Sequence, residues 1–353
     1  MSGYSVVYRL AAVHFDHLDP QEAPMPLRPP RWFAIVAAAI AVLFTTACSN
    51  IDSTFAARPA GGGDRADVVK VGTLRGQPHL FHPFFYERFA PEGTAVDVVV
   101  FDSSPDIKNA LVSGAIDFGV AGVPAFLAGS AAGQDVRLVA SAADGGTGIV
   151  AAPGIESVDD LRGQKVGFPL GSSQEILLRL TLARLGLDPG RDVQLVNLPF
   201  SDMAKALATG QISAFASAEL GPATAIEAGA HSLVSPYDTP VGRVNIGLAT
   251  TQRTIDAKPE LVQKIVDTHV RTAEFMDADR DAWHGGVVEE FGLNPAVAAT
   301  AIANIWPRSD LSADYRSQVA ALTRQMVVLE QIPVEPDLGE FVDDSFLKES
   351  ADA

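Results

Sequence analysis

The chain has 353 residues, close to half of them apolar, and a formal net charge of −17. That is enough for one large domain or two medium ones with buried cores, so the bulk of the chain is not disordered. So acidic a protein is repelled by phosphate, which excludes nucleic acid as a partner, and Cys48 is the single cysteine, which excludes internal disulfides and thiolate metal sites.

Residues 33–47 read FAIVAAAIAVLFTTA, an uncharged run preceded by Arg28 and Arg31 and ending in small residues before Cys48. This is the layout of a signal peptide, and it is shorter than the roughly 20 residues a bilayer-spanning helix needs. Asp16, Asp19 and Glu22 do not suit a signal leader, whereas a start at Met25 gives the basic leader MPLRPPRW. Translation from Met25 is therefore expected, with 1–47 removed as the signal peptide. Three basic and three acidic residues leave with it, so the mature part keeps the charge of −17. Residues 49–67, SNIDSTFAARPAGGGDRAD, have no apolar period and read as a flexible tether.

From Val68 onward short apolar runs alternate with stretches of helical period: VVKVG (68–72), VDVVVF (96–101) and IDFGVA (116–121) are strand-like. The alternation predicts an α/β fold with mostly parallel sheets flanked by helices. Ser104 before Pro105, with Gly114 ten residues on, reads as a capped helix; Ser157–Gly163, Ser172–Gly186 and Ser201–Gly210 repeat the pattern. In the Ser172–Gly186 segment Ile176, Leu177, Leu180 and Ala183 share a face, with Arg179 and Arg184 pointing away. Phe81, Phe84, Phe85 and Phe89 in HLFHPFFYERF (79–89) follow helical spacing and read as core, with a stacking wall for a planar ring as the other reading. ALVSGAIDF (110–118) and ALATGQISAF (206–215) align through Ala, Leu, Gly and Ile, which points to two lobes of similar plan.

Ligands of α/β sheets collect beyond the carboxyl ends of strands. That rule selects the loop holding Arg75, Gln77 and His79, then the Ser103–Ser104 turn, Gly122 with Val123, Ser172 with Ser173, and Glu219. Asp144, before the strand GIVAA, is a further candidate, or only part of a turn. For the serines two readings stand side by side. Ser104 caps its helix and leaves Ser103 for ligand, while Ser172 with Glu175 forms a capping box or, with Ser173, offers N–H groups to an anion. Glu219 is either a solvated loop charge or a cleft carboxylate favouring an amine-bearing ligand. His79 and His82 lack a third clustered ligand, so no metal is expected.

The segments ALVSGAIDFGVAG (110–122), VRLVASAADGG (136–146), SVDDLRGQKVGFPLGSSQEILLRLTLARLGLDPGRDVQLVNLP (157–199), AKPELVQKIV (257–266) and FVDDSFLKE (341–349) together resemble the periplasmic substrate-binding proteins of ABC importers in the nitrate, sulfonate and taurine group, which includes relatives binding thiamine-precursor pyrimidines. TTAC at 45–48 resembles a lipobox. The resemblance implies a two-lobed periplasmic-binding-protein fold of type II with the ligand in the cleft, lobe one being 68–151 plus 243–350 and lobe two 152–242. It implies a monomeric extracytoplasmic lipoprotein anchored through Cys48, with residues 48–67 as lipidated tether, that delivers a sulfonate, taurine-like or related ligand to an ABC permease and ATPase. A pyrimidine or aromatic ligand, or a sensor role without an importer, is the alternative. No cofactor and no catalysis are implied. The pyrimidine-synthase type of enzyme on this fold depends on a cysteine-rich segment that is absent here, and no GxSxG, HExxH or phosphate-binding loop occurs.

Overall fold

The computed structural model describes residues 67–351. The expected signal peptide, Met25, Cys48 and nearly all of the tether lie outside them.

Eleven strands are found among the described residues: β1 (Asp67–Leu74), β2 (Thr94–Phe101), β3 (Phe118–Gly122), β4 (Arg137–Gly145), β5 (Thr147–Ala151), β6 (Lys165–Phe168), β7 (Gln194–Asn197), β8 (Ala214–Ala218), β9 (His231–Val234), β10 (Val244–Thr250) and β11 (Ile305–Pro307). They form two sheets, ordered β2-β1-β3-β10-β4-β11 and β7-β6-β8-β5-β9. The chain is thus α/β with two lobes. Each sheet is mixed rather than mostly parallel: three strands run parallel (β2-β1-β3 and β7-β6-β8), and β10 or β5 then enters antiparallel. The reversal follows from the connectivity, since β5 and β10 each start where the chain arrives from the other lobe.

The short repeat read from sequence marks this duplication. Gly114 and Gly210 end equivalent helices in the left-handed region, where a residue without Cβ is least strained. Ala115 and Gln211 then donate backbone N–H groups to Ala110 and Ala206, and Asp117 and Ser213 to Lys70 and Lys165. Ile116 and Ile212 are both buried and press against backbone. A methyl group at Gly72 of β1 would lie 2.6 Å from Ile116, and one at Gly167 of β6 would lie 2.9 Å from Ile212.

The lobe boundary differs from the expected one. The chain leaves the first sheet at Gly145 and enters the second at Thr147, so β5 belongs to the second lobe, and the first crossing falls at Gly146 rather than near 151. The buried run GIVAA carries no mark of which sheet it joins, so periodicity could not place it. The return crossing lies between β9 and β10.

Each sheet packs helices on both faces. On the first, Val69, Val71, Phe118, Ile246 and Leu248 pack with the helices His82–Phe89, Pro259–Ala278 and Arg280–Phe291. The opposite face packs with Ser104–Ser113, Val123–Ala131 and Ala313–Val328. The second sheet is covered by Ser173–Arg184 on one face and by Met203–Ala208 and Leu220–Glu227 on the other. Phe81, Phe84 and Phe85 form an aromatic cluster with Phe275 and Phe291. Phe81 is core and Phe84 and Phe85 pack against it partly buried, as their spacing predicts, whereas Phe89 is half-buried against Phe275 and joins no core cluster.

Candidate ligand-binding cleft

A cleft of about 1030 Å³ opens between the two sheets. Its walls come from the carboxyl ends of parallel strands: Leu74, Arg75, Gln77 and His79 after β1, Asp102–Pro105 after β2, Leu170–Glu175 after β6, Pro199–Ser201 after β7, and Ser217, Ala218, Leu220 and Gly221 at the end of β8. The amino end of antiparallel β10 supplies Asn245 and Ile246, opposite Gly122 at the end of β3. Strand ends gather here because both parallel trios point at the same gap, leaving turns and free N–H groups at the rim.

The structure brings Gln77, His79, Ser103, Ser104, Gly122, Ser172 and Ser173 to this cleft, and with them Arg75. The two serines after β2 exchange the roles expected of them. Ser103 is the cap, its Oγ accepting from Asp106 N at 3.2 Å, while Ser104 begins the helix and its Oγ accepts from Gly122 N at 3.1 Å. The cap falls one residue early because Pro105, lacking an N–H, sits at the second helical position, so the free donor to be capped is that of Asp106. Ser172 caps its helix, its Oγ accepting from Glu175 N at 3.2 Å and donating to Pro169 O at 2.6 Å. Ser173 reaches across the lobes, donating to Asn245 Oδ1 at 3.1 Å, and Asn245 Nδ2 donates to Gly145 O at 2.6 Å.

Three expected residues stand elsewhere. Val123 is fully buried in the first turn of its helix, packed into the lobe-one core. Asp144 turns from the cleft to an ion pair with Arg308; burial nonetheless pushes its carboxyl up, with the Arg308 guanidinium opposing. Glu219 sits at the end of β8 between Ala218 and Leu220, both of which line the cleft, but its own carboxylate is 3% exposed and accepts from Asn304 Nδ2. Burial pushes its pKa up to about 8, with the Asn304 bond opposing. It is neither a solvated charge nor a cleft carboxylate. It lies at the crossing instead, where Asn304 Nδ2 also donates to Thr147 O and to the Tyr237 hydroxyl, each at 3.0 Å.

Sequence reasoning missed Asn245, Ser217, Gln331 and Phe200, all of which line the cleft. Asn245 carried a legible signal, a polar residue at the start of the fully buried strand VNIGLAT. Phe200 and Leu170 are apolar yet 42% and 68% exposed at the lobe-two rim, which only the fold reveals. None of the phenylalanines at 81–89 lines the cleft, so the stacking-wall reading of that stretch does not hold.

Four cleft residues carry a buried side-chain polar atom with no partner: Gln77 Oε1, His79 Nδ1, Ser217 Oγ and Gln331 Oε1. Each unmet group costs on the order of 1–3 kcal/mol, a cost that groups arriving with a ligand or with lobe closure would offset. Burial holds His79 far below the usual histidine range, at about 3, so its ring is neutral at physiological pH. Among the described residues no group of three His, Cys, Asp or Glu side chains gathers for a metal, and no helix is long and apolar enough to cross a membrane.

The model of the NMT1/THI5-like family matches residues 88–282, more than half of the chain and parts of both sheets. The chain belongs to the NMT1/THI5-like family. A protein of Brucella abortus named as a binding protein is 34% identical over 122 residues, which cover 35% of this chain. That match spans only 38% of the Brucella protein's length. In fold, this NMT1/THI5-like chain is similar to the alkanesulfonate-binding protein of Xanthomonas axonopodis pv. citri, solved bound to MOPS (TM-score 0.67, 23% identity, 79% of this chain and 98% of that one). It is also similar to the periplasmic nitrate-binding protein of Synechocystis PCC 6803 (TM-score 0.65, 14% identity, 81% and 88%). At such identities the likeness establishes the two-lobed fold of periplasmic binding proteins. What these proteins bind remains a property of theirs.

Proposed function

We propose that this NMT1/THI5-like protein is an extracytoplasmic solute receptor that captures a small organic molecule between its lobes and presents it to an ABC importer. The observation that carries this reading is the cleft itself: a cavity of about 1030 Å³ at converging strand ends, holding unpartnered buried polar groups from both lobes. A lobe crossing at a single residue, Gly146, supports closure by hinge bending. The names of the fold neighbours support a ligand of the sulfonate, taurine-like or related kind, and the importer role accords with them. Capture without chemistry accords with Ser103, Ser104, Ser172 and Ser173, whose hydroxyls are bonded within helix caps, to a backbone N–H or to Asn245 rather than to a histidine.

The ligand-contact set of this reading is Gln77, His79, Ser103, Ser104, Gly122, Ser172 and Ser173, joined by Asn245, Ser217, Phe200 and Gln331. Lobe one comprises 67–145 with 244–351, and lobe two 147–234. Cys48 is the lipid anchor, 1–47 the signal peptide with translation from Met25, and the receptor acts as a monomer beside its permease and ATPase. The test is a thermal-shift screen of the full-length protein against alkanesulfonates, taurine, nitrate, aromatic acids, pyrimidines and a metabolite extract. A ligand of the native state stabilises it by about 2.7 kcal/mol at 100 times Kd and so raises the melting temperature. No shift from the whole panel would overturn the receptor reading. Cys48→Ala should abolish incorporation of labelled palmitate and release the protein from membranes; an unchanged labelled band would remove the anchor.

A further inference from the structure

We infer that the Tyr237 hydroxyl pins the two chain crossings to each other, so that the lobes turn about one fixed point at Thr147 when the cleft closes. The inference rests on the receptor reading and names a residue that positions its lobes.

The first crossing runs through residues 145–147, and the second through 235–243, between β9 and β10. Two connections that bend separately would let the lobes twist and slide as well as close. Here they are joined. Tyr237, in the second crossing, donates its hydroxyl hydrogen to Thr147 O at 2.8 Å and accepts from Thr147 N at 3.0 Å. Asn304 Nδ2 donates to the same oxygen at 3.0 Å. One hydrogen given and two accepted is the full capacity of a hydroxyl, so the group has no freedom left to rotate. Thr147 opens β5 and pairs with Ala218 in the second sheet, whereas Asn304 directly precedes β11 of the first. The hydroxyl therefore holds both lobes as well as both crossings.

The backbone just before Thr147 is tied down on the lobe-one side. Gly145 N donates to Arg243 O of the second crossing at 2.8 Å, and Gly146 N donates to Asn304 O at 2.9 Å. Gly145 O accepts from Asn245 Nδ2 at 2.6 Å. With these groups bonded, bending at the first crossing is left to the bonds between Gly146 Cα and Thr147, beside the Tyr237 hydroxyl.

The phenol ring is itself held in place. Trp306 of β11 meets it edge-on with centroids 5.9 Å apart, and the Arg243 guanidinium lies 5.7 Å from its centroid and 4.0 Å from that of Trp306. Burial pushes the phenol well above its ordinary range, with the neighbouring Glu219 adding to the effect, so the hydroxyl keeps its hydrogen. Phenylalanine at this position would keep the ring contacts and lose only the three hydrogen bonds.

The test reads the distance between the lobes by pulsed electron resonance of spin labels on the full-length protein. Cys48→Ser clears the single native cysteine, and Lys205→Cys and Val328→Cys give each lobe one exposed label site, next to the cleft residues Ala204 and Leu329. With Tyr237 present the distribution should be narrow and single, and Tyr237→Phe should widen it at least twofold. Val287→Ala, a change in the lobe-one core, should lower the melting temperature and leave the width unaltered, which separates a pin from a residue that merely adds stability. A broad distribution before substitution, a width unchanged by Tyr237→Phe, or equal widening by Val287→Ala overturns the inference and leaves the receptor reading intact. Should Tyr237→Phe not fold, hydrogen exchange of the wild type decides: a slow Thr147 amide supports the pin, and exchange at the rate of an exposed loop overturns it. These measurements use no ligand, so a thermal-shift panel without a hit would remove the receptor reading and leave the bond between the crossings in place.

Discussion

Glu219 illustrates how far a residue's role depends on where its side chain turns. Its unfolded pKa is near 4.5, and in the native state it is raised to about 8 by burial. Between those values the native protein keeps a proton that the unfolded chain releases, so this group makes stability fall as pH rises through that window. Glu219→Gln, which keeps an acceptor for Asn304, should flatten that decline in urea melts at pH 5, 7 and 9; parallel curves would count against it. Asn245 bears a different load. Asn245→Ala removes the bond from Ser173 and leaves Gly145 O without its donor, and should cost about 1–3 kcal/mol. Ser173→Ala, which breaks only the cross-lobe bond, should cost about 1 kcal/mol or less. Equal losses in the two variants would show that the Gly145 carbonyl finds another partner.

Among the elements, the helix Ser173–Arg184 stands apart because it serves two cores. Ile176 and Leu177 pack with lobe one, while Leu178 and Leu182 pack with the second sheet. The sequence pattern grouped Ile176, Leu177, Leu180 and Ala183 on one face, yet Leu180 is only partly buried and Ala183 is exposed. A helix wedged between two lobes is buried nearly all round at its amino end and has no single stripe to read. Leu178→Ala should cost about 2–5 kcal/mol by chemical denaturation. The crossing between β4 and β5 is constrained by Gly145, whose φ is +79° and where a Cβ would lie 2.5 Å from Asn304 O. Gly145→Ala combines left-handed strain with a backbone collision and should lose more than about 1 kcal/mol, seen as a lower melting temperature. A neutral outcome would mean that the crossing can shift without cost.

At the scale of the whole molecule, buried histidines set the acid limit. His79 and His269 are held at about 3 and about 4 by burial, and His82, stacked on His269 at 4.9 Å, is held well below 6.5 by burial and then by its neighbour. Below pH 6.5 the unfolded chain binds protons these rings refuse, so their contribution is complete above 6.5 and is lost as pH falls toward 3–4. At acid pH these three groups act against the opposing slope of Glu219. Acid unfolding near pH 5 should be accompanied by uptake of about three protons at these histidines, and His82→Phe should lower it by about one. Potentiometric titration with parallel calorimetry reads this directly; uptake unchanged by the substitution would exclude His82.

The amino-acid sequence by itself determined the α/β class, the duplicated plan and the strand ends at which a cleft must form. These depend on local and periodic chemistry: β-branched runs, Ser and Gly caps, and the shared Ala-Leu-Gly-Ile pattern of two equivalent helix-strand units. It reached Ser172, Ser173, Gln77 and His79 because loops after parallel strands are short and their positions are set within a few residues. Only the tertiary structure decided the direction of β5 and β10, since a fully buried strand reads alike in either sheet and either orientation. It likewise decided that Asp144 meets Arg308, that Glu219 meets Asn304, and that Glu175 meets Gln331. Those pairings join residues about 85 to 164 positions apart, and Gln331 reaches Glu175 across 156. No local pattern encodes so distant a partner, because the partner exists only once the two lobes have packed.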